Sequence, residues 1–305
     1  MKFRKYMAPF YLLAIHLILS CQTSGTSDDR NPESIVRSYN QLGYDLNNPD
    51  RIIYLPGALR EISGITKVDT STLACIQDES GILYLFDLTT NRIKHHSFFA
   101  NPGDYEGIAR IDKRIFVLRS DGAIFEIPDY ESPVTGVISY PSGIPAADNE
   151  GLCYDNKNKR LLIAPKSKIK GEKESKRAIY AFNPDTKKLD SKPAIEFNLK
   201  EIQEFAIRNN VDLPLTKKKE KPKIELKPSA IAIHPLTNRL YLLSGVEKLF
   251  IVFSMDGRVE YIEKLDNNLF KQPEGITFLQ NGDMIISNEG QSGQANLLIF
   301  RHKGE

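Results

Sequence analysis

The sequence predicts an all-β domain, a five-bladed β-propeller, because one short pattern recurs along the chain. In each copy a polar or acidic stretch leads into a small residue and an apolar strand, and the small residues occupy positions 64, 107, 151, 230 and 275. They are 43, 44, 79 and 45 residues apart, a period typical of propeller blades. Because the third spacing is close to two periods, a six-bladed ring is the alternative.

Each repeat contains the strands that a blade requires. An inner strand follows the small residue, and then come a polar hairpin and a strongly apolar second strand, as at residues 114–118. A polar turn leads to a third strand, as at residues 249–253. Such strands are apolar on both faces, as expected of sheets stacked between neighbours. The last repeat lacks a fourth strand, so we expect residues 51–55, before the first repeat, to supply it and close the ring.

The first 20 residues have the pattern of a secretory signal. Lys2, Arg4 and Lys5 precede an apolar run at residues 10–19, which is too short to span a bilayer comfortably. Residues 18–21 resemble a bacterial lipobox, in which the signal is cut before the cysteine and the cysteine is lipidated. We therefore predict lipidation of Cys21, with palmitate among its acyl chains, and anchoring to a membrane. An ordinary cleaved signal or a membrane-anchor helix is the alternative.

The rest of the chain divides into a tether and a domain. Residues 21–50 are rich in Ser, Thr, Asp and Asn, which predicts a flexible tether, and residues 51–305 form the propeller. Within the propeller, residues 199–208 have helical apolar spacing and a basic stretch follows at 217–223. This insertion at 199–227 is a lid, a patch that binds polyanions, or a solvated linker after a packing helix.

Composition and charge exclude some partners. The chain carries 41 basic and 39 acidic side chains, so it has no general field that would attract nucleic acid, and export makes such a partner still less suitable. Cys75 and Cys153 lie in apolar runs of different repeats, so we expect buried thiols rather than a disulfide. A monomer in the bacterial cell envelope is expected. Because Gln22 replaces the Asp that can retain lipoproteins at the inner membrane, the outer membrane is favoured.

Strand direction predicts which loops meet. The segments that enter the inner strands and the turns that follow the second strands share one end of the ring, called here the top. Glu106, Glu150 and Glu274 occupy one equivalent position, each directly before a glycine near the mouth of the central channel. The other predicted lining residues are Asp78, Arg119, Asn149, Lys166, Ser244, Asn288 and Glu289.

Like charges that converge must be compensated. One possibility is Ca²⁺ bound by Glu106, Glu150 and Glu274, with Asn149 and Asn288 as further ligands. A second is ion pairing of the ring with Arg119 and Lys166, and a third is hydrogen bonding from backbone N–H groups. The chain has no calcium loop and no nucleophile elbow, so catalytic residues are not assigned.

The glutamate–glycine motifs resemble those of the SdiA-regulated family. The matching segments are residues 105–109, 149–152 and 273–277, the acidic turns at 76–80 and 286–289, and residues 242–245. The similarity covers residues 51–301 and implies a closed, often membrane-associated propeller at the envelope, with no established reaction. Residues 229–230 and 61–64 depart from the motif. Similar propellers include phytase-type esterase-like proteins and calcium-dependent lactonases, so an enzyme remains an alternative.

Together these observations predict a lipid-anchored envelope propeller that binds a ligand, with or without a divalent cation, at its acidic top. The ligand is a small molecule or an envelope protein. The first alternative is a metal-assisted hydrolase of an ester, a lactone or a phosphoester, in which one glutamate acts as the base. The second is a protein-interaction scaffold that uses the outer rim or the insertion.

Overall fold

Five antiparallel sheets form the fold of the chain in the computed structural model, which describes residues 40–133, 135–169, 175–215 and 222–304. The first strand of the described residues is β1 (Arg51–Tyr54). Blade 1 follows with β2 (Ile62–Lys67), β3 (Thr72–Gln77), β4 (Ile82–Asp87) and β5 (Arg92–Phe98). Blade 2 contains β6 (Tyr105–Ile111), β7 (Arg114–Arg119), β8 (Ala123–Ile127) and β9 (Ile138–Pro141).

The third blade carries the helical insertion at its end. It contains β10 (Asn149–Asp155), β11 (Arg160–Pro165), β12 (Lys176–Asn183), β13 (Lys188–Leu189) and β14 (Ile195–Asn198), followed by α1 (Leu199–Arg208). Blade 4 contains β15 (Ala230–Ile233), β16 (Leu240–Ser244), β17 (Leu249–Phe253) and β18 (Val259–Lys264). Blade 5 contains β19 (Pro273–Phe278), β20 (Met284–Asn288) and β21 (Asn296–Phe300).

The inner strands form a closed ring of five. β2, β6, β10, β15 and β19 contact one another in that order, and β19 contacts β2. The long third spacing in the sequence is filled by β13, β14 and α1, so the six-bladed alternative is wrong. The predicted closing strand is confirmed, because β1 pairs with β21 as the outer strand of blade 5, with Arg51 opposite Ile299 and Tyr54 opposite Asn296.

Apolar side chains fill the spaces between adjacent blades. Five clusters of buried residues occupy the five interfaces around the ring, which is why strands such as β16 and β17 are buried on both faces. Removing this much apolar surface from water is the main stabilising contribution to the fold. Cys75 on β3 and Cys153 on β10 are part of it as buried free thiols.

The helix and the segment before β1 complete the domain. Asn198 caps α1 by accepting a hydrogen bond from the Lys200 backbone N–H at 3.1 Å. The apolar face of α1 packs against blades 3 and 4. No helix within the described ranges has the length and apolar character of a membrane span. Leu42, Tyr44 and Leu46 are buried between blades 4 and 5.

The ordered domain therefore includes residues 40–50, which the sequence placed in the tether, because their apolar side chains pack between blades 4 and 5. The predicted boundary at residue 51 is too late. The predicted signal and Cys21 lie outside the described residues.

Candidate functional site

Three glutamates occupy equivalent β-bulges at the top of the inner strands. The register of β6 with β7 shifts between Tyr105 and Gly107, which leaves Glu106 as the extra residue. The same shift occurs around Glu150 in β10 and around Glu274 in β19. A bulge turns the extra side chain out of the normal alternation and is common beside functional sites. The bulges thus place the three carboxylates at the same height around the axis.

Serines occupy the same position in the two blades that lack a glutamate. Ser63 in blade 1 donates a hydrogen bond to the backbone oxygen of Glu106 at 2.7 Å. Ser229 in blade 4 likewise donates to the backbone oxygen of Pro273 at 2.7 Å. Going around the ring, the five positions are therefore Ser, Glu, Glu, Ser and Glu. The serines tie each inner strand to the next one instead of adding charge.

The glycines after the glutamates let neighbouring inner strands approach closely. A Cβ atom on Gly107 would lie 2.8 Å from the backbone oxygen of Glu150, and one on Gly64 would lie 2.9 Å from that of Glu106. Contacts this short are not tolerated by real side chains, so the channel is narrow where the carboxylates converge. Close approach also removes water, which raises the electrostatic cost of each charge.

The electrostatics of the ring follow from this burial. Burial, with the neighbouring charge of Glu150 and then of Asp104, raises the pKa of Glu106 to about 9. Burial is also the largest cause for Glu274, whose pKa is raised to about 7, with Glu150 next. Each of these carboxyls resists ionisation first because burial disfavours its charged form and then because the neighbouring carboxylates repel it. At neutral pH the ring therefore holds protons that ordinary glutamates would have lost.

Lys166 compensates one member of the ring directly. It follows β11 and forms an ion pair with Glu150, whose side chain is only 4% exposed. Burial raises the pKa of Glu150 to about 7 even though Lys166 opposes the shift. Ion pairing by Lys166 was one of the three predicted compensations.

A second acidic group lies next to the ring, between blades 5 and 1. Burial and the charge of Glu61 raise the pKa of Glu289 to about 7, and Gln272 donates a hydrogen bond to the Glu289 carboxylate. Burial and the charge of Glu61 also raise the pKa of Asp78, to about 6. Asp78 Oδ1 is buried without a hydrogen-bond partner in the described part of the chain. The top of the channel is thus acidic well beyond the three glutamates.

Other predicted lining residues make contacts away from the ring. Arg119 forms two hydrogen bonds with Asp121, at 3.0 and 2.8 Å, and stacks over Phe125 with a distance of 5.3 Å to the ring centre. The Asn149 side chain donates to the backbone oxygen of Ser120 at 2.9 Å, and that of Asn288 donates to Leu269 at 3.2 Å. These hydrogen bonds fix loops, and none of those among the described residues joins Arg119, Asn149 or Asn288 to a ring glutamate.

Ser244 has a supporting role. It is fully buried and donates a hydrogen bond to Glu247 at 2.7 Å. Glu247 in turn accepts the backbone N–H groups of Glu225 and Lys227, at 2.7 and 3.1 Å. The pair therefore anchors the end of the insertion to blade 4. Sequence reasoning missed Glu247, for which a lone glutamate after an apolar strand offers no distinctive signal.

The oxygen donors suit a hard cation such as Ca²⁺ in type. Their placement does not make a ligand set, because no three His, Cys, Asp or Glu side chains in the described ranges are grouped to hold a metal ion. Glu150 already pairs with Lys166, whereas the Oδ1 atoms of Asn149 and Asn288 are buried without a hydrogen-bond partner in the described part of the chain. The calcium site therefore stays a prediction.

Comparisons with known proteins agree with the fold. The Myxococcus xanthus glutaminyl cyclase is similar over 83% of this chain and 95% of its own, at 13% identity and a TM-score of 0.54. A streptogramin B lyase is similar over 82% of this chain and 97% of its own, at 14% identity and a TM-score of 0.46. The WD40 propeller domain of Doa1 is similar over 86% of this chain and 98% of its own, at 10% identity and a TM-score of 0.47. No family model and no curated protein matches the chain. The chain is a β-propeller protein, a fold that does not define an activity.

Proposed function

We propose that this protein is a ligand-binding propeller whose site is the acidic ring at the top of the channel, and that the ligand is a small cation. One observation carries the proposal: Glu106, Glu150 and Glu274 sit on equivalent bulges and influence one another's ionisation, and of the three only Glu150 forms an ion pair within the described ranges, with Lys166. A fold does not need three such carboxylates, because serines fill the same position in blades 1 and 4.

The charge of the ring favours a cation over a neutral ligand. Ionised glutamates repel one another across the channel, and Asp104, Asp148 and Glu289 add negative charge nearby. An ammonium group or a divalent cation would relieve this repulsion and make charge-assisted hydrogen bonds or ion contacts. Acidic walls around a dehydrated cleft also raise the local concentration of cations.

Calorimetric titration with Ca²⁺, Mg²⁺ and a panel of primary amines tests the proposal. We expect saturable binding of one of these classes that is weakened at least tenfold in Glu150→Gln and Glu106→Gln. Glu204→Gln, on the exposed face of α1, removes the same charge outside the ring and should leave binding unchanged. The same loss in all three variants, or no saturable binding of any probe, would refute the proposal.

The pH dependence of binding gives a second check. Raising the pH from about 6 to about 9 ionises carboxyls whose pKa values are about 7 for Glu150 and Glu274 and about 9 for Glu106. Cation affinity should therefore increase steadily over this interval. The carboxylates of an ordinary surface site are already ionised at a pH of about 6, so the affinity of such a site for cations would not change over this interval.

A hydrolase is the second candidate, because carboxyls with pKa values near 7 are poised to act as general bases at neutral pH. Its test is a panel of chromogenic esters, lactones and phosphoesters. Turnover that is lost in Glu150→Gln and kept in Glu204→Gln would promote it over simple binding. The neighbours in fold include proteins named as enzymes, but at their low identities they say nothing about this chain's chemistry.

The cellular setting is proposed from the sequence alone. The lipobox-like segment before Cys21 supports acylation at that cysteine and anchoring in the bacterial envelope, with the outer membrane favoured. The glutamate–glycine motifs support membership of the SdiA-regulated family. Labelling of cells with an alkyne analogue of palmitate should mark the protein and fail to mark Cys21→Ser. Label that persists in this variant would exclude acylation at Cys21.

A further inference from the structure

A cavity of about 340 Å³ lies at the bottom of the central channel, at the opposite end from the acidic ring. The ends of all five inner strands line it, among them Thr66 of β2, Arg110 of β6, Tyr154 of β10, Ile233 of β15 and Thr277 of β19. Its volume falls in the range of sites for small molecules. Every blade thus contributes residues to the wall of the cavity.

Two cationic side chains, Lys67 and Arg110, line this cavity. Lys67 Nζ donates to the neutral amide oxygen of Gln280 at 3.1 Å. Arg110 Nε donates to the backbone oxygen of Asp112 at 2.6 Å. Neither forms an ion pair with any residue of the described ranges. Burial, with the charge of Arg110 next, lowers the pKa of Lys67, which reports that the two charges are close and partly dehydrated.

Two carboxylates, those of Asp69 and Asp112, lie near the two cationic side chains. Asp112 lines the cavity but is exposed, and only its backbone oxygen contacts Arg110. The Asp69 carboxylate accepts the backbone N–H of Ser71 at 2.7 Å. Asp69 and Asp112 keep their negative charges, but within the described ranges neither forms an ion pair with Lys67 or Arg110, so both cationic groups stay available to a ligand.

Neighbouring groups prepare the cavity for an oxyanion. The Tyr130 ring supports the Arg110 guanidinium at 5.8 Å from its centre. Thr277 Oγ1 accepts the Lys67 backbone N–H at 3.3 Å, so its own hydroxyl proton is free to be donated. A guanidinium fork, an ammonium group and threonine hydroxyls are the donors that phosphate oxygens accept from.

We propose that the bottom cavity binds a small anion that carries a phosphate group, held by Arg110 and Lys67 with donation from Thr66 and Thr277. Two unpaired cations match the two negative charges of a phosphate monoester. The anion enters from the bottom, because the acidic ring at the other end of the channel repels it. This site is separate from the cation site of the proposed function, and either can exist without the other.

Calorimetric titration of the purified protein with inorganic phosphate and with glycerol 3-phosphate tests the proposal, in a phosphate-free buffer at constant ionic strength. We expect saturable binding that weakens at least tenfold in Arg110→Gln and in Lys67→Gln. Arg110→Lys keeps the charge but loses the fork, so an intermediate loss is expected. Arg92→Gln, on the exposed outer strand β5, removes the same charge outside the cavity and serves as the matched control.

Each result decides the question. Saturable binding lost in the two cavity variants and kept in Arg92→Gln supports the site. A weak linear response that Arg92→Gln reduces equally, or the absence of binding, overturns it. Thermal melts of every variant exclude unfolding as the cause of a loss. Glu150→Gln should bind phosphate as the wild type does, which separates this site from the acidic ring.

Discussion

The hydroxyl of Tyr44 lies 2.9 Å from Nε2 of His234, although 190 residues separate the two in sequence. The Tyr44 hydroxyl donates its proton to the backbone oxygen of Gly282 at 2.6 Å. In the contact with His234, the Tyr44 oxygen must therefore accept a hydrogen bond from Nε2–H. The other ring nitrogen, Nδ1, accepts the backbone N–H of Thr237 at 3.2 Å. The histidine is therefore held in its neutral form, and it joins the segment before β1 to blades 4 and 5.

Acid should destabilise the protein through this histidine. Burial, followed by the charges of His302 and Arg239, lowers the pKa of His234 from 6.5 to about 4. The unfolded chain therefore takes up the proton first, and stability is lost as the pH falls from about 6.5 to about 4, by at most about 3 kcal/mol. Urea unfolding measured across this range checks the slope. His234→Gln should flatten it, and an unchanged slope in that variant would assign the loss to other groups.

Removing a carboxyl from the ring should stabilise the fold at alkaline pH. The pKa of Glu106 is raised from 4.5 to about 9, so the folded state prefers its protonated form. That preference adds stability below pH 4.5, which is lost as the pH rises through about 9. Glu106→Gln should gain about 1–3 kcal/mol over the wild type near pH 9 and little near pH 5. Equal destabilisation at both pH values would show instead that the carboxyl is a structural acceptor.

Breaking the ion pair at the ring should cost stability because it isolates a buried charge. Lys166→Met leaves Glu150 without a cation, and we expect a loss of about 1–3 kcal/mol near pH 8. The double variant with Glu150→Gln should recover most of it, because the unpaired charge is then gone. A double-mutant cycle in urea measures the coupling. A coupling near zero would mean that the ion pair adds nothing to the folded state.

A methyl group on the ring glycine should disrupt the contact between blades 2 and 3. In Gly107→Ala the new Cβ would lie 2.8 Å from the backbone oxygen of Glu150, which the inner strands must move to avoid. We expect a loss of about 2–4 kcal/mol by urea unfolding. Gly57→Ala is the matched control, since a Cβ there meets no atom within 4 Å. Similar losses in both variants would point to a backbone effect common to glycine.

Most of the fold could be predicted from the sequence because each blade repeats one local pattern. The strand at residues 51–54, which closes the ring, could be predicted because the last repeat lacks a fourth strand. The helix after blade 3 could be predicted because the third repeat is longer than the others. The packing of Leu42 and Tyr44 could not be predicted, because a few apolar residues in a polar segment have no period and their partners lie in blades 4 and 5.

The site was less accessible to prediction than the fold. Equivalent positions in the repeat brought Glu106, Glu150 and Glu274 to one level, but side-chain direction at a bulge depends on local geometry. Arg119 turned to Asp121, two residues away, because that contact needs no long reach toward the axis. The cavity near Lys67 and Arg110 was not anticipated, since its residues share no motif and only the ring places them together.

The pairing of β1 with β21 joins both ends of the domain within a single sheet. A stack of repeats with free ends can fray from its terminal unit inward. Here blade 5 combines the first described strand, β1, with the last, β21, so it cannot peel away without parting from both of its neighbours. Unfolding should accordingly be one cooperative event for the whole circle, and a nick in any loop should leave the noncovalent circle intact.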